Sequence, residues 1–146
     1  MIIFVPMSNS LQPFHLAIPV DDLVRCRDFY IGVLGCDVGR SSDVWVDLNF
    51  FGHQLVLHQS KEISKKTHNA VDGHDVPIPH FGVVLEWKLW HDLAESLKVA
   101  GIKFEIEPYL RFKGEVGEQA TMFFYDPAGN ALEFKAFKNP ERLFAR

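Results

Sequence analysis

The chain has 146 residues, 47% of them apolar and 23% charged, with a formal net charge of -4. A chain of this length can bury a core of its own in one unit, so it has no need of a metal ion as a structural staple. The acidic balance and the lack of any Lys/Arg block exclude nucleic-acid binding as the main role, and no apolar stretch approaches a membrane span.

The opening run Met1-Ile2-Ile3-Phe4-Val5-Pro6 lacks the basic start and the length of a signal peptide. Phe14–Val20 (FHLAIPV) predicts a strand, with His15 as its polar intrusion. Asp21-Asp22 then offers an N-cap. Leu23, Cys26, Phe29, Tyr30, Val33 and Leu34 follow at helical spacing, and Gly35 supplies the stop. Three short strands are expected next, over Cys36–Ser41, Val44–Phe51 and His53–Gln59, with Gly52 turning between the last two. Cys26 and Cys36 match no zinc spacing and read as reduced, buried thiols of a cytoplasmic protein.

Lys61–Val76 is polar and without periodicity, and reads as a connection between halves. The pattern then begins again. His80–Glu86 (HFGVVLE) predicts a strand, Trp90, Leu93, Ala94, Leu97 and Ala100 a helical stripe, and Gly101 its stop. Lys103–Glu107, Gln119–Tyr125 and Ala131–Phe137 are three further strand candidates. His15 lies 20 residues before Gly35, and His80 lies 21 before Gly101. Aligned on Gly52 and Gly129, Val56 and Glu133 occupy equivalent places in the two halves.

His15, His80 and Glu133 each interrupt a strand that is otherwise apolar. Singly, each reads as a structural or solvent-facing residue. Together, two imidazoles and one carboxylate form the ligand set of a facial triad, which leaves coordination positions open. His58 shares the face of Val56 and is a candidate for proton transfer or substrate contact, or an exposed strand-end residue. His53, His68, His74 and His91 are expected at the surface. The segment Arg111–Gln119 carries two glycines and several charges; it reads as a mobile lid that brings Arg111 or Lys113 to an anionic substrate, or as a plain hairpin loop.

The paired βαβββ pattern, the strands FHLAIPV and PHFGVVLE, and the closing run YDPAGNALEF together resemble the vicinal oxygen chelate superfamily. That superfamily includes glyoxalase I, extradiol dioxygenases, and fosfomycin- and bleomycin-resistance proteins. The most specific piece is Asp126-Pro127-x-Gly129-Asn130-x-x-Glu133. The resemblance implies an α+β fold in which two βαβββ modules form an incompletely closed, glyoxalase/dioxygenase-like β-barrel with helices outside. It implies one domain over about 10–140, with module one at about 14–60, a linker at about 61–77 and module two at about 78–138. It also implies His15, His80 and Glu133 as ligands of a divalent metal, with Fe(II) favoured and Mn, Zn, Ni or Co as alternatives.

Two positions depart from the family pattern. Val56 stands where glyoxalase I commonly has a further ligand, and Phe123 stands where ring-cleaving enzymes and fosfomycin-type transferases tend to have Tyr. Val56 counts against a standard glyoxalase I and Phe123 against the standard ring-cleaving and transferase sites; the His/His/Glu set leaves a metal-dependent, dioxygenase-like reaction on a small oxygenated substrate as the expected activity. A glyoxalase-type lyase or isomerase and a fosfomycin-type transferase are the enzymatic alternatives, and a metal-free, ligand-sequestering protein is the alternative of another class. A homodimer is expected by analogy.

Overall fold

The computed structural model describes residues 10–63 and 65–146; the opening run Met1–Pro6 lies outside them. The first module runs β1 (His15–Val20), α1 (Leu23–Gly32), β2 (Asp37–Ser41), β3 (Trp45–Phe50) and β4 (His53–Gln59). Its sheet has the order β1-β4-β3-β2, with β1 parallel to β4 and the other pairs antiparallel. After a hairpin of β5 (Thr67–Val71) and β6 (His74–Ile78), the second module repeats this plan. It comprises β7 (His80–Phe81), β8 (Val84–Leu85), α2 (Trp87–Val99), β9 (Phe104–Arg111), β10 (Gln119–Tyr125) and β11 (Ala131–Phe137). Here β7 and β8 both run parallel to β11, which pairs with β10, which pairs with β9. The result is an α+β fold in which the sheets remain separate rather than closing into a barrel.

Local chemistry sets both helices. The Asp22 side chain accepts from the Arg25 backbone N–H at 3.0 Å and starts α1. Gly35 (φ 71°) and Gly101 (φ 75°) leave α1 and α2 through the left-handed region, where a side chain would be strained. α2 has no side-chain cap but is pinned by Trp90, whose Nε1–H donates to the Phe134 carbonyl at 2.8 Å.

One apolar core joins the modules. Phe50 meets Phe81 at 5.7 Å and Phe134 at 5.8 Å between ring centroids, and Phe51 meets Phe134 at 5.2 Å. Phe124 and Phe134 stack at 5.9 Å. Each fully buried ring among these, such as Phe124 and Phe134, contributes about 1.5–3 kcal/mol through burial. A buried polar network adds direction. Asp126 accepts from Tyr30 Oη at 2.9 Å and from the Asn130 amide, and Asn130 Nδ2 also donates to the Pro19 carbonyl at 2.9 Å. The Asp-Pro-x-Gly-Asn turn is thereby tied to α1 and to β1. Both cysteines are free and buried, with burial first among the causes that push Cys26 up to about 11 and Cys36 up to about 12.

The structure revises several boundaries. Lys61–Val76 is not wholly irregular: it contains β5 and the start of β6, joined by Asp72 (φ 47°) and Gly73 (φ 78°) in a two-residue turn with both φ angles positive. The strand expected over His80–Glu86 is broken into β7 and β8 at Gly82-Val83. β9 extends beyond Glu107 to Arg111, so the charged loop begins at Phe112. Among the described residues, no helix is long and apolar enough to cross a membrane.

Candidate functional site

In paired strands, opposite residues share a face. The register of β10 and β11 sets Phe123 opposite Glu133, Thr121 opposite Lys135 and Tyr125 opposite Ala131. β9 adds Tyr109 opposite Thr121 and Arg111 opposite Gln119, and β7 adds His80 beside Ala131. These residues line one face of the second sheet, with Glu133 near its middle.

His80 Nε2 lies 2.9 Å from Glu133 Oε2. The other ring nitrogen, Nδ1, is 2.7 Å from the Pro77 carbonyl, which can only accept, so Nδ1 carries a proton. Thr121 Oγ1 donates to the other carboxylate oxygen, Oε1, at 2.7 Å. Burial pushes the Glu133 carboxyl up, but the bonds from His80 and Thr121, with the Lys135 charge, outweigh it and hold the group below the ordinary range. His80 is raised, chiefly by its bond to Glu133, against the opposing effect of burial and with help from the Pro77 carbonyl. The pair is an imidazole and a carboxylate, mutually oriented and only partly open to solvent, with 30% and 14% of their side chains exposed.

His15 occupies a different place. Its Nδ1 lies 2.7 Å from Gln54 Oε1, and both residues are exposed on the first sheet. The same face carries Val56, which is buried, opposite Asp47, and the exposed His58 opposite Trp45. In β1 and β4, His15 aligns with Gln54; in β7 and β11, His80 aligns with Ala131. Two residues further along, Val56 and Glu133 therefore hold equivalent positions, as the glycine alignment predicts. Among the described residues, no group of three or more His, Cys, Asp or Glu comes together to hold a metal ion. His80 and Glu133 lie within hydrogen-bond reach of each other, and among the described residues His15 does not join them in such a group.

His53 accepts from the Phe14 N–H at 2.8 Å, and His74 stacks on Tyr109 at 4.7 Å, so neither is a free surface residue. His68 and His91 are exposed, the latter against Trp87 and Trp90. Lys113 is exposed in the loop after β9, which is tied down by the buried Glu118: its carboxylate accepts from the Gly114 N–H at 3.1 Å and lies 3.1 Å from Lys138 Nζ. Sequence reasoning passed over Thr121, although a hydroxyl inside the run QATMFFY is a polar intrusion of the same kind as His15. It also passed over Tyr109 and the 67–78 hairpin. Beside His80, a cavity of about 210 Å³ opens between β1 and β7, lined by Ala17, Pro19, Phe81 and Asn130 with Lys66 near its edge.

Residues 12–134 match the model of the family described as "Glyoxalase/Bleomycin resistance protein/Dioxygenase superfamily". A solved glyoxalase/bleomycin resistance protein/dioxygenase from Alicyclobacillus acidocaldarius is 34% identical, with a TM-score of 0.78 over 94% of this chain and 100% of that one. The fosfomycin resistance protein FosX from Listeria monocytogenes shares the fold at 19% identity and a TM-score of 0.65, over 94% of this chain and 100% of that one. Lactoylglutathione lyase from Agrobacterium tumefaciens does so at 17% and 0.63, over 95% of this chain and 100% of that one. With a family match across most of its length and the doubled βαβββ architecture, the chain belongs to the glyoxalase/bleomycin resistance protein/dioxygenase superfamily.

Proposed function

We propose that this protein is a cytoplasmic, divalent-metal-dependent enzyme acting on a small oxygenated substrate, with a dioxygenase-like reaction favoured. The observation that carries the reading is the His80–Glu133 pair. Nδ1 of His80 is engaged by a backbone carbonyl, which leaves Nε2 as the donor atom, and Thr121 steadies the carboxylate. This is the outer-shell pattern that orients metal ligands. Members of the superfamily typically use a divalent metal and are often enzymes.

His80 and Glu133 would hold the ion, and His15 would complete the set from a second copy of the chain. A twofold pair that laid the His15 face of one first sheet against the second sheet of its partner would form two such sites. When bound, the metal supplies a Lewis acid on which vicinal substrate oxygens can chelate. Val56, at the place equivalent to Glu133, has no lone pair to give, which favours three protein ligands over four. Phe123, whose ring meets His80 edge-on at 5.1 Å, makes a dry wall behind the imidazole. His58 is proposed for proton transfer, and Arg111 or Lys113 for contact with an anionic part of the substrate.

Protein purified without oxygen, loaded with Fe(II), Mn(II), Co(II), Ni(II) or Zn(II) and offered catechols, is expected to consume oxygen with one of these metals. Isomerisation of a hemithioacetal without oxygen uptake would move the reading to a lyase. A second reading, a metal-free ligand-sequestering protein, is favoured by one observation: His80 and Glu133 already satisfy each other within the chain. Failure of the purified dimer to bind any of the five metals would decide for it.

A further inference from the structure

The hairpin of β5 and β6 pairs with neither larger sheet. β5 is exposed throughout, whereas Val76 and Pro77 of β6 are buried. Val76 packs on Ile106, Phe123 and Tyr109, His74 stacks on Tyr109, and the Pro77 carbonyl is bonded to His80. Since Tyr109, Phe123 and His80 lie on the face that holds Glu133, the hairpin covers one part of that face. Two strands alone are marginal in water, and this pair is held by one small apolar cluster, the His74–Tyr109 ring contact, the Pro77–His80 bond and an ion pair at its tip. With β5 exposed throughout, the tip is the part of this cover expected to open first.

The ion pair joins Asp72, in the turn, to Arg111, at the end of β9. Arg111 is buried for a cation, with 20% of its side chain exposed, and its Nε has no hydrogen-bond partner. Its guanidinium lies 5.2 Å from the ring of Phe112, a non-glycine residue held at φ 53°. A buried donor left unsatisfied among the described residues and a strained neighbour are costs that folds tolerate where a ligand is bound. A guanidinium also presents a fork matched to a carboxylate. Arg111 stands opposite Gln119, two residues along β10 from Thr121, which bonds Glu133. That spacing is about 7 Å along the strand.

We infer that Arg111 is the recognition point for a substrate carboxylate, and that Asp72 fills it as an internal stand-in until a ligand displaces it and frees the tip of the hairpin, with Pro77 still bonded to His80. The inference rests on the proposed reading of this face as the substrate site, and names the substrate class as a short-chain carboxylic acid, because the resident group is itself a carboxylate. With its carboxylate on Arg111, such an acid lies along the face with its other end toward the His80–Glu133 pair.

The test uses metal-free protein, butanoate as the probe and butanamide as its neutral counterpart, with the Arg111 Nε–H signal and hydrogen exchange over residues 67–78 as readouts. Asp72→Asn keeps an Asn-Gly turn, which suits the same hairpin, and removes only the charge. Butanoate is expected to bind this variant roughly fivefold more tightly than the native chain, to shift the Arg111 signal and to speed exchange in the hairpin. Arg111→Met is expected to remove binding in either background, and butanamide to bind neither. Equal butanoate affinity in native and Asp72→Asn protein would overturn the inference, as would undiminished binding in the double variant. Metal titration of the same samples is a separate readout. Normal metal uptake without carboxylate binding sinks this inference alone, and carboxylate binding without metal uptake sinks the metal reading alone.

Discussion

Gly82 lies so close to the main chain of Glu133 that a β-carbon at position 82 would collide with the Glu133 carbonyl. The break between β7 and β8 falls at this point, and it lets the segment that carries His80 run tightly beside β11. The obstacle is backbone, which cannot swing aside as a flexible side chain can. Gly82→Ala is expected to lower the unfolding free energy by roughly 1–3 kcal/mol and to separate His80 from Glu133. Chemical denaturation and the His80 imidazole resonances would measure both effects. A variant as stable as the native chain would show that the two segments can part freely.

If His15 acts across a dimer, two defective chains can repair each other. His15→Ala and Glu133→Ala homodimers are each expected to lack tight metal binding. Unfolded together and refolded, they form a heterodimer in which one site has all three ligands intact, and one metal should bind per heterodimer. Elemental analysis of separately tagged heterodimers checks this. No recovery of metal would place His15 outside the site or within its own chain's site.

Thr121→Val keeps the shape of the side chain and removes the bond to Glu133 Oε1. Freed of that bond, the carboxylate is less well oriented, and its lowered pKa should move back up. Metal affinity is expected to fall by about tenfold, and stability by about 1–2 kcal/mol. Competitive titration with a chromophoric chelator gives the first quantity and thermal unfolding the second. Unchanged affinity would leave Thr121 a role in packing only.

In metal-free protein the His80–Glu133 pair stabilises the fold most between the ordinary values of the two groups, 4.5 and 6.5. Glu133 is lowered, so its share is lost as pH falls below 4.5 through its folded value. His80 is raised, so its share is lost as pH rises above 6.5 through its folded value. Partial exposure limits the pair to about 1 kcal/mol. Metal must displace a proton from His80, so apparent metal affinity should decline as pH drops through a value above 6.5. Thermal midpoints and metal titrations across about pH 5–8 would trace both profiles. An affinity that declines only below 6.5 would show that His80 is not the competing group.

Much of this architecture is legible in the residues because its causes are local. Asp22 caps α1, Gly35 and Gly101 end the two helices in the left-handed region, and alternation marks β3 and β11. The doubled order of elements follows from these signals, and so does the equivalence of Val56 and Glu133, since register along a strand is a matter of counting. The 67–78 hairpin is not legible in the same way: Asp72-Gly73 carries a turn signal, but its polar strands lack the apolar alternation that marks a half-buried sheet. What the residues do not carry is contact between distant segments. That His80 meets Glu133, that Thr121 reaches the same carboxylate, and that Asp72 closes on Arg111 depend on how strands far apart in sequence are laid side by side. His15 makes the point most sharply. Its spacing to Gly35 matches that of His80 to Gly101, yet the fold sets it beside Gln54 on the other sheet, because strand pairing, not spacing, decides which side chains meet.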